Sequence, residues 1–274
     1  MNFFRLLPPL ALGGLAAVPA AAQDFAVETV VFVERGGDSE AIARGVTLSR
    51  GGRVYDYSDA TGEVLVYDRT DRTFQILNAA RGIRTEATAV EVDRHLAKAR
   101  EEIAKEAERL RTSNDPAAVR LAARLEIDAG GAEVAVFEDD GRLTVAAGPA
   151  KYTVRTASAE AWADRQAAVA RVYADFADDV HCLGYVLHPR AVTPDLRMKV
   201  NADLRRRSVL PVAVRLETGP DEVAHRAEHV FAMELTDVHR AMIFQWEAML
   251  DDASLRKVPL RTYVKQSHDA KERG

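Results

Sequence analysis

The residues whose spacing most clearly suggests chemistry are His225-Arg226-Ala227-Glu228-His229. On a helix, His225 and His229 would lie one turn apart on one face. They could then share a zinc ion at about 2.1 Å each, with Glu228 as the base that activates a bound water. That reading makes the chain a zinc-dependent hydrolase. Alternation along the same stretch argues for a strand instead. As a strand, residues 225–235 put His225, Ala227, His229, Phe231, Met233 and Leu235 on one face, and Arg226, Glu228 and Glu234 on the other. Two strand residues four apart are separated by about 13 Å, too far to hold one metal. A continuous helix from Pro220 to Leu250 would bring Val223, Ala227, Val230 and Val238 together, but it would place Glu234 in that apolar face. The strand is the expectation. No catalytic residue, metal or cofactor is therefore assigned, and His225 and His229 with Glu228 as base stand as the alternative.

Other reactive residue types carry less. His181-Cys182 puts an imidazole beside the one thiol of the chain, yet adjacent helical residues point about 100° apart, so the pair is read as a helix-end histidine and a buried thiol. Arg205-Arg206-Arg207 closes an expected helix, where cations complement the negative helix end. An anionic partner for these arginines is the alternative. The acid pairs Asp139-Asp140, Asp178-Asp179 and Asp251-Asp252 are expected at turns or helix ends, solvated. The sequence contains no G-x-S-x-G, no phosphate-binding glycine loop and no H-E-x-x-H. Any active site would have to be assembled from scattered residues.

Composition narrows the class. With 37 basic and 42 acidic side chains, the net charge of -5 argues against broad nucleic-acid binding through a basic surface. A single cysteine excludes an internal disulfide and any C-x-x-C site. Residues 1–22 carry Arg5, an apolar run from Leu6 to Val18 broken by Pro8 and Pro9, and an A-x-A site at Ala20–Ala22. This is the order of a secretory signal peptide. The run is too short to span a bilayer well, since about 20 apolar residues are needed. The expectation is an exported, periplasmic or extracellular protein with no integral membrane segment after cleavage.

The elements that must position these residues follow from periodicity. Phe25 to Thr88 alternates between apolar and polar residues, punctuated at Gly36-Gly37, Gly51-Gly52, Gly62 and Asp68–Asp71, which predicts a β-meander. Thr88 with Glu91 fits a capping box and opens a helix over 89–112, followed by a proline-started helix from Pro116 to about Arg124. Two hairpins are expected between Glu133 and Arg155. Helices are expected at Ala159–Ala177, with Trp162, Val169, Tyr173 and Phe176 on the apolar face, and from Thr193-Pro194, carrying Leu196, Val200 and Leu204. A strand over Leu210–Leu216 precedes 223–235, and Thr236-Asp237 caps a final helix containing Trp246. The whole reads as one α+β domain over 23–264: a curved, mostly antiparallel sheet with several helices covering one face. The stretch 265–274 reads as a disordered tail. A split near Gly130-Gly131 is the alternative.

Two resemblances attach to these residues. His225 to His229 resembles the inverzincin metallopeptidase motif, which implies a third, acidic ligand from a downstream helix, with Glu247 the best-placed carboxylate. Gly51–Tyr57, Glu63–Asp68 and Thr73–Leu77 resemble the hairpins of LolA/LolB-like periplasmic lipoprotein carriers, as does Leu210–Leu216 their late strands. The carrier resemblance implies a sheet whose concave face encloses an apolar cavity. The expected function is a non-catalytic exported envelope protein that binds a lipid-like ligand or a protein partner, or serves as an envelope scaffold. Val31, Val54, Val66, Ile76, Phe231 and Met233 are the expected lining.

Overall fold

The computed structural model describes residues 24–130, 134–139, 141–157, 163–188, 194–219 and 223–271. The leader pattern, Gly131, Asp140, Trp162, Thr193 and the turn residues Pro220 and Asp221 lie outside them. Among the described residues, twelve strands form one open sheet accompanied by six helices. The sheet is mostly antiparallel; only its short last strand pairs in parallel.

The first six strands form the expected meander: β1 (Phe25–Arg35), β2 (Asp38–Arg50), β3 (Arg53–Ser58), β4 (Glu63–Asp68), β5 (Thr73–Asn78) and β6 (Ile83–Thr88). Gly36 and Gly37 close the first hairpin at φ +62° and +98°, a pair of left-handed values that only a glycine dipeptide adopts without strain. The helix α1 (Ala89–Arg111) starts on the anticipated box: the Thr88 hydroxyl accepts from the Glu91 amide at 3.2 Å, and the Glu91 carboxylate accepts from the Thr88 amide at 2.8 Å. Then come α2 (Pro116–Asp128), β7 (Ala135–Asp139), β8 (Arg142–Ala147), β9 (Ala150–Thr156), α3 (Ala163–Leu187) and α4 (Pro194–Arg207). The chain closes with β10 (Pro211–Glu217), β11 (Ala224–Ala232), α5 (Asp237–Leu250), β12 (Arg256–Lys257) and α6 (Leu260–Lys271). The last helix thus runs through most of the stretch read as a tail from Lys265.

The spatial order is β12-β6-β5-β4-β3-β2-β1-β11-β10-β9-β8-β7. One meander is joined to the other where β1 pairs with β11, Val27 opposite Phe231 and Thr29 opposite His229.

Alternation sorts the core into two layers. Val54, Leu65, Tyr67, Phe74 and Ile76 lie under α1, α3 and α6. Their neighbours Tyr55, Val64, Val66 and Leu77 point the other way and pack on Ile243 and Trp246 of α5. Helices therefore cover both faces of the first meander, and the expectation of one covered face is corrected. The physical reason is that α5 carries its own apolar stripe, and the α5-facing side of β3–β5 is as apolar as the side beneath α1 and α3. On the second meander, Ile127 of α2 and Leu196, Val200 and Leu204 of α4 cover Leu143, Val145, Tyr152, Val154 and Val214. Between the two, Val169, Tyr173 and Ala177 of α3 lie on Phe25, Val27 and Phe231.

The expected apolar lining is likewise redistributed. Val54 and Ile76 are sealed beneath helices, Val66 faces α5 on the opposite side, and Phe231 packs on α3. These residues do not line a common groove. No helix of the described residues is long and apolar enough to cross a membrane.

Candidate functional site

Residues 224–232 are strand, so His225 and His229 sit at the two ends of a separation of about 13 Å. That spacing is incompatible with a shared zinc ion. Glu228 falls on the opposite face, where it pairs with Arg226. Glu247, the third member the motif would require, lies on α5 across the sheet and accepts from the Tyr55 hydroxyl at 2.6 Å. The hydrolase reading does not survive this geometry.

What the strand does instead is set His229, half-buried, on the sheet face beneath α3. Thr29, its cross-strand partner on β1, places its hydroxyl 2.9 Å from Nδ1. The ring lies 6.1 Å from Tyr173 and 6.4 Å from Phe231, and those two aromatic rings meet edge to face at 5.2 Å. Nε2 is out of contact with water and has no hydrogen-bond partner among the described residues. Burial, with the positive charges of Arg197 and His181 nearby, lowers the His229 pKa from 6.5 to about 3. The imidazole is therefore neutral at any ordinary pH. If Nδ1 accepts the Thr29 proton, Nε2 is left as an N–H donor aimed into the protein.

Arg197 reaches the same region from α4. It is only 4% exposed, its guanidinium lies 5.9 Å above the Tyr152 ring of β9, and Nε has no partner. Its charge is felt at both Tyr173 and His229. Among the described residues no carboxylate pairs with it. Acids of α3 and α4 are engaged elsewhere: Asp178 accepts from Asn201 and Arg205, both at 2.7 Å, and Asp195 binds Arg100 at 2.8 Å. Asp56, on the inward face of β3, accepts from the Thr47 hydroxyl at 2.5 Å and is pushed up to about 6 by burial. The helix-covered side of the sheet thus carries buried Arg197 and Tyr173 together with half-buried His229, Asp56 and Thr29.

A second buried polar group lies nearer α6. Glu63 accepts from His188 Nε2 at 3.0 Å, from the Tyr263 hydroxyl at 2.8 Å and from Arg81 at 2.8 Å. Burial opposes the Glu63 charge, but the His188 and Tyr263 hydrogen bonds and the Arg81 charge outweigh it and hold the carboxyl below its usual range. Among the described residues His188 Nδ1 is buried without a partner, and none of them sets a hydroxyl or thiol where a carboxylate–imidazole dyad would need its nucleophile. The cluster is a clasp that ties β4, the end of α3 and α6 together.

The remaining sequence candidates resolve into structure. Cys182 is buried in α3, 3.8 Å from the Met198 sulfur, and burial pushes its thiol up to about 12. His181 Nδ1 lies 2.5 Å from the Ala177 carbonyl. Asp178-Asp179 was expected at a solvated helix end, but α3 continues to Leu187 and both acids are anchors. Asp179 accepts from Tyr67 and pairs with Arg72. Arg205, Arg206 and Arg207 are neutralised by Asp175, Asp178, Asp203 and Glu138, which leaves them little charge for an external anion. An open cleft of about 650 Å³ beside α5, lined by Arg53, Gln75, Arg84, Glu247, Leu250 and Asp251, is polar. There Arg53 and Glu247 approach each other at 3.9 Å, and Arg84 donates to the Leu250 carbonyl.

No family model and no curated protein matches the chain.

Proposed function

We propose that this is a non-catalytic exported binding protein that takes a lipid-like ligand between the β1–β11 centre of the sheet and helices α3 and α4. The observation that carries the reading is His229. It is a half-buried imidazole whose Nε2 is shielded from water and has no partner among the described residues, placed beside the rings of Tyr173 and Phe231. A buried polar atom left unsatisfied costs about 1–3 kcal/mol, and a ligand that supplies its partner recovers that cost. The polar interior and its aromatic walls suit a molecule that is mostly apolar with one polar end.

The non-catalytic part rests on the state of the reactive groups. A thiol with a pKa near 12 supplies no thiolate at neutral pH, and an imidazole with a pKa near 3 is a poor general base. The leader pattern of residues 1–22 supports export.

The test is solvent extraction of the purified native protein followed by mass spectrometry, with a hydrophobic fluorescent probe added to the extracted chain. A co-purifying amphipathic molecule, or saturable probe uptake, is expected. Neither appearing would sink the reading. A protein partner is the second reading. It is favoured by Phe244, 75% exposed, and Val238, both on the outer side of α5. Cross-linked pull-down with Phe244→Ser as control tests it: a partner lost in the variant is expected, and identical captures would dismiss it.

A further inference from the structure

The interior contains a cation that nothing in the described structure neutralises. Arg197 is a guanidinium taken almost wholly out of water. Burying an ion unpaired costs several kcal/mol, which is why buried arginines are normally found against carboxylates. Part-buried arginines elsewhere in the fold do meet carboxylates: Arg81 meets Glu63, Arg205 meets Asp178, and Arg226 meets Glu34. Arg197 instead lies over the face of Tyr152, with Nε unpartnered. Asp56, the one inward-facing acid of the neighbouring strands, is raised by burial and lowered only by Thr47, so Arg197 is not its counter-ion. His181 adds a second cationic influence at His229.

We infer that the ligand of this interior is an amphipathic anion, with a carboxylate or phosphate headgroup held by Arg197 and the Nε2–H of His229, and an apolar body lying along Tyr152, Tyr173 and Phe231. The inference rests on the proposed binding function and names the chemical class it serves. The two donors divide the work. Arg197 presents a planar fork that matches two anionic oxygens, and His229 adds a neutral donor at Nε2 in the tautomer whose Nδ1 accepts from the Thr29 hydroxyl. Because burial keeps His229 uncharged, Arg197 is the permanent charge that would meet an anionic headgroup.

The test is binding of dodecanoate and of dodecanol to the delipidated full-length protein at about pH 8, where the acid is ionised, with acetate as a competitor that has the headgroup but no chain. Dodecanoate is expected to bind at least about tenfold tighter than dodecanol, since charge-assisted hydrogen bonds to arginine are the stronger kind. That preference is expected to vanish in Arg197→Gln, and acetate is expected not to compete. Equal binding of acid and alcohol would overturn the anionic assignment while leaving an apolar binding interior. Failure of both to bind would remove the binding function itself. Competition by acetate at concentrations comparable to dodecanoate would indicate a free-anion site and overturn the amphipathic one. Should Arg197→Gln fail to fold, Arg197→Lys keeps the charge but loses the fork. It is then expected to bind dodecanoate more weakly while still preferring it to dodecanol, and unchanged affinity would overturn the role of Arg197.

Discussion

Acid should destabilise this protein through one histidine. His229 has its pKa lowered from 6.5 to about 3, chiefly because burial penalises the imidazolium. Below pH 6.5 the unfolded chain takes up a proton that the native state refuses, so stability falls with pH until the native pKa is reached. At about 1.4 kcal/mol per pH unit, the two units from 6.5 to 4.5 cost about 3 kcal/mol, and the loss approaches about 5 kcal/mol near pH 3. Other groups titrate in this range, so the informative quantity is the difference between the wild type and His229→Gln, which carries every other group unchanged. Urea unfolding followed by tryptophan fluorescence suits the measurement, because Trp246 is buried against Tyr55 and Tyr57. Between pH 7 and pH 4.5 the wild type should lose about 3 kcal/mol more than the variant. A gap that stays constant to within about 0.5 kcal/mol would show that His229 is as hydrated in the native state as in the unfolded chain, and the site would lose its central residue.

Asp56 should act with the opposite sign. Its pKa is raised to about 6, so its contribution is present below 3.8 and lost as pH rises through 6; Asp56→Asn should gain up to about 3 kcal/mol on the wild type between pH 4 and pH 8 in thermal melts, less the weakened Thr47 bond. A gain that does not grow with pH would contradict the burial of that carboxyl. Glu63→Gln should cost about 3 kcal/mol or more in urea unfolding, because it removes the charge that Arg81, His188 and Tyr263 all engage, and a cost under about 1 kcal/mol would show that the clasp is solvated. Thr88→Ala should cost about 1 kcal/mol by removing the cap of α1, and an unchanged melting temperature would argue that the cap is made by water instead.

Local signals made much of the fold legible. The meander of β1–β6 follows from glycine turns and alternation, and α1 from a box whose two hydrogen bonds are three residues apart. The strand at 224–232 was readable because His225, Ala227, His229 and Phe231 fall on one face with Arg226 and Glu228 on the other, and that alternation alone separates His225 from His229. The same logic exposes Asp56, two residues from Val54 and therefore on the inward face of β3. Long-range facts were not legible. Thr29 and His229 meet across 200 residues of chain, and no local pattern reports that pairing. The apolar stripe of α5 says that the helix is covered but not which face of the sheet covers it. Arg197 looks like a polar flank to the stripe of Leu196, Val200 and Leu204. It is buried only because α4 is packed against α3 and the second meander.

The central claim, an interior that receives a ligand at His229, is tested most directly by imidazole nitrogen NMR of the delipidated protein during titration with dodecanoate. The His229 Nε2 resonance should move saturably as the ligand supplies its missing partner, while exposed His225 is unaffected. A His229 signal that stays fixed while dodecanoate saturates the protein would place the ligand elsewhere and contradict the account.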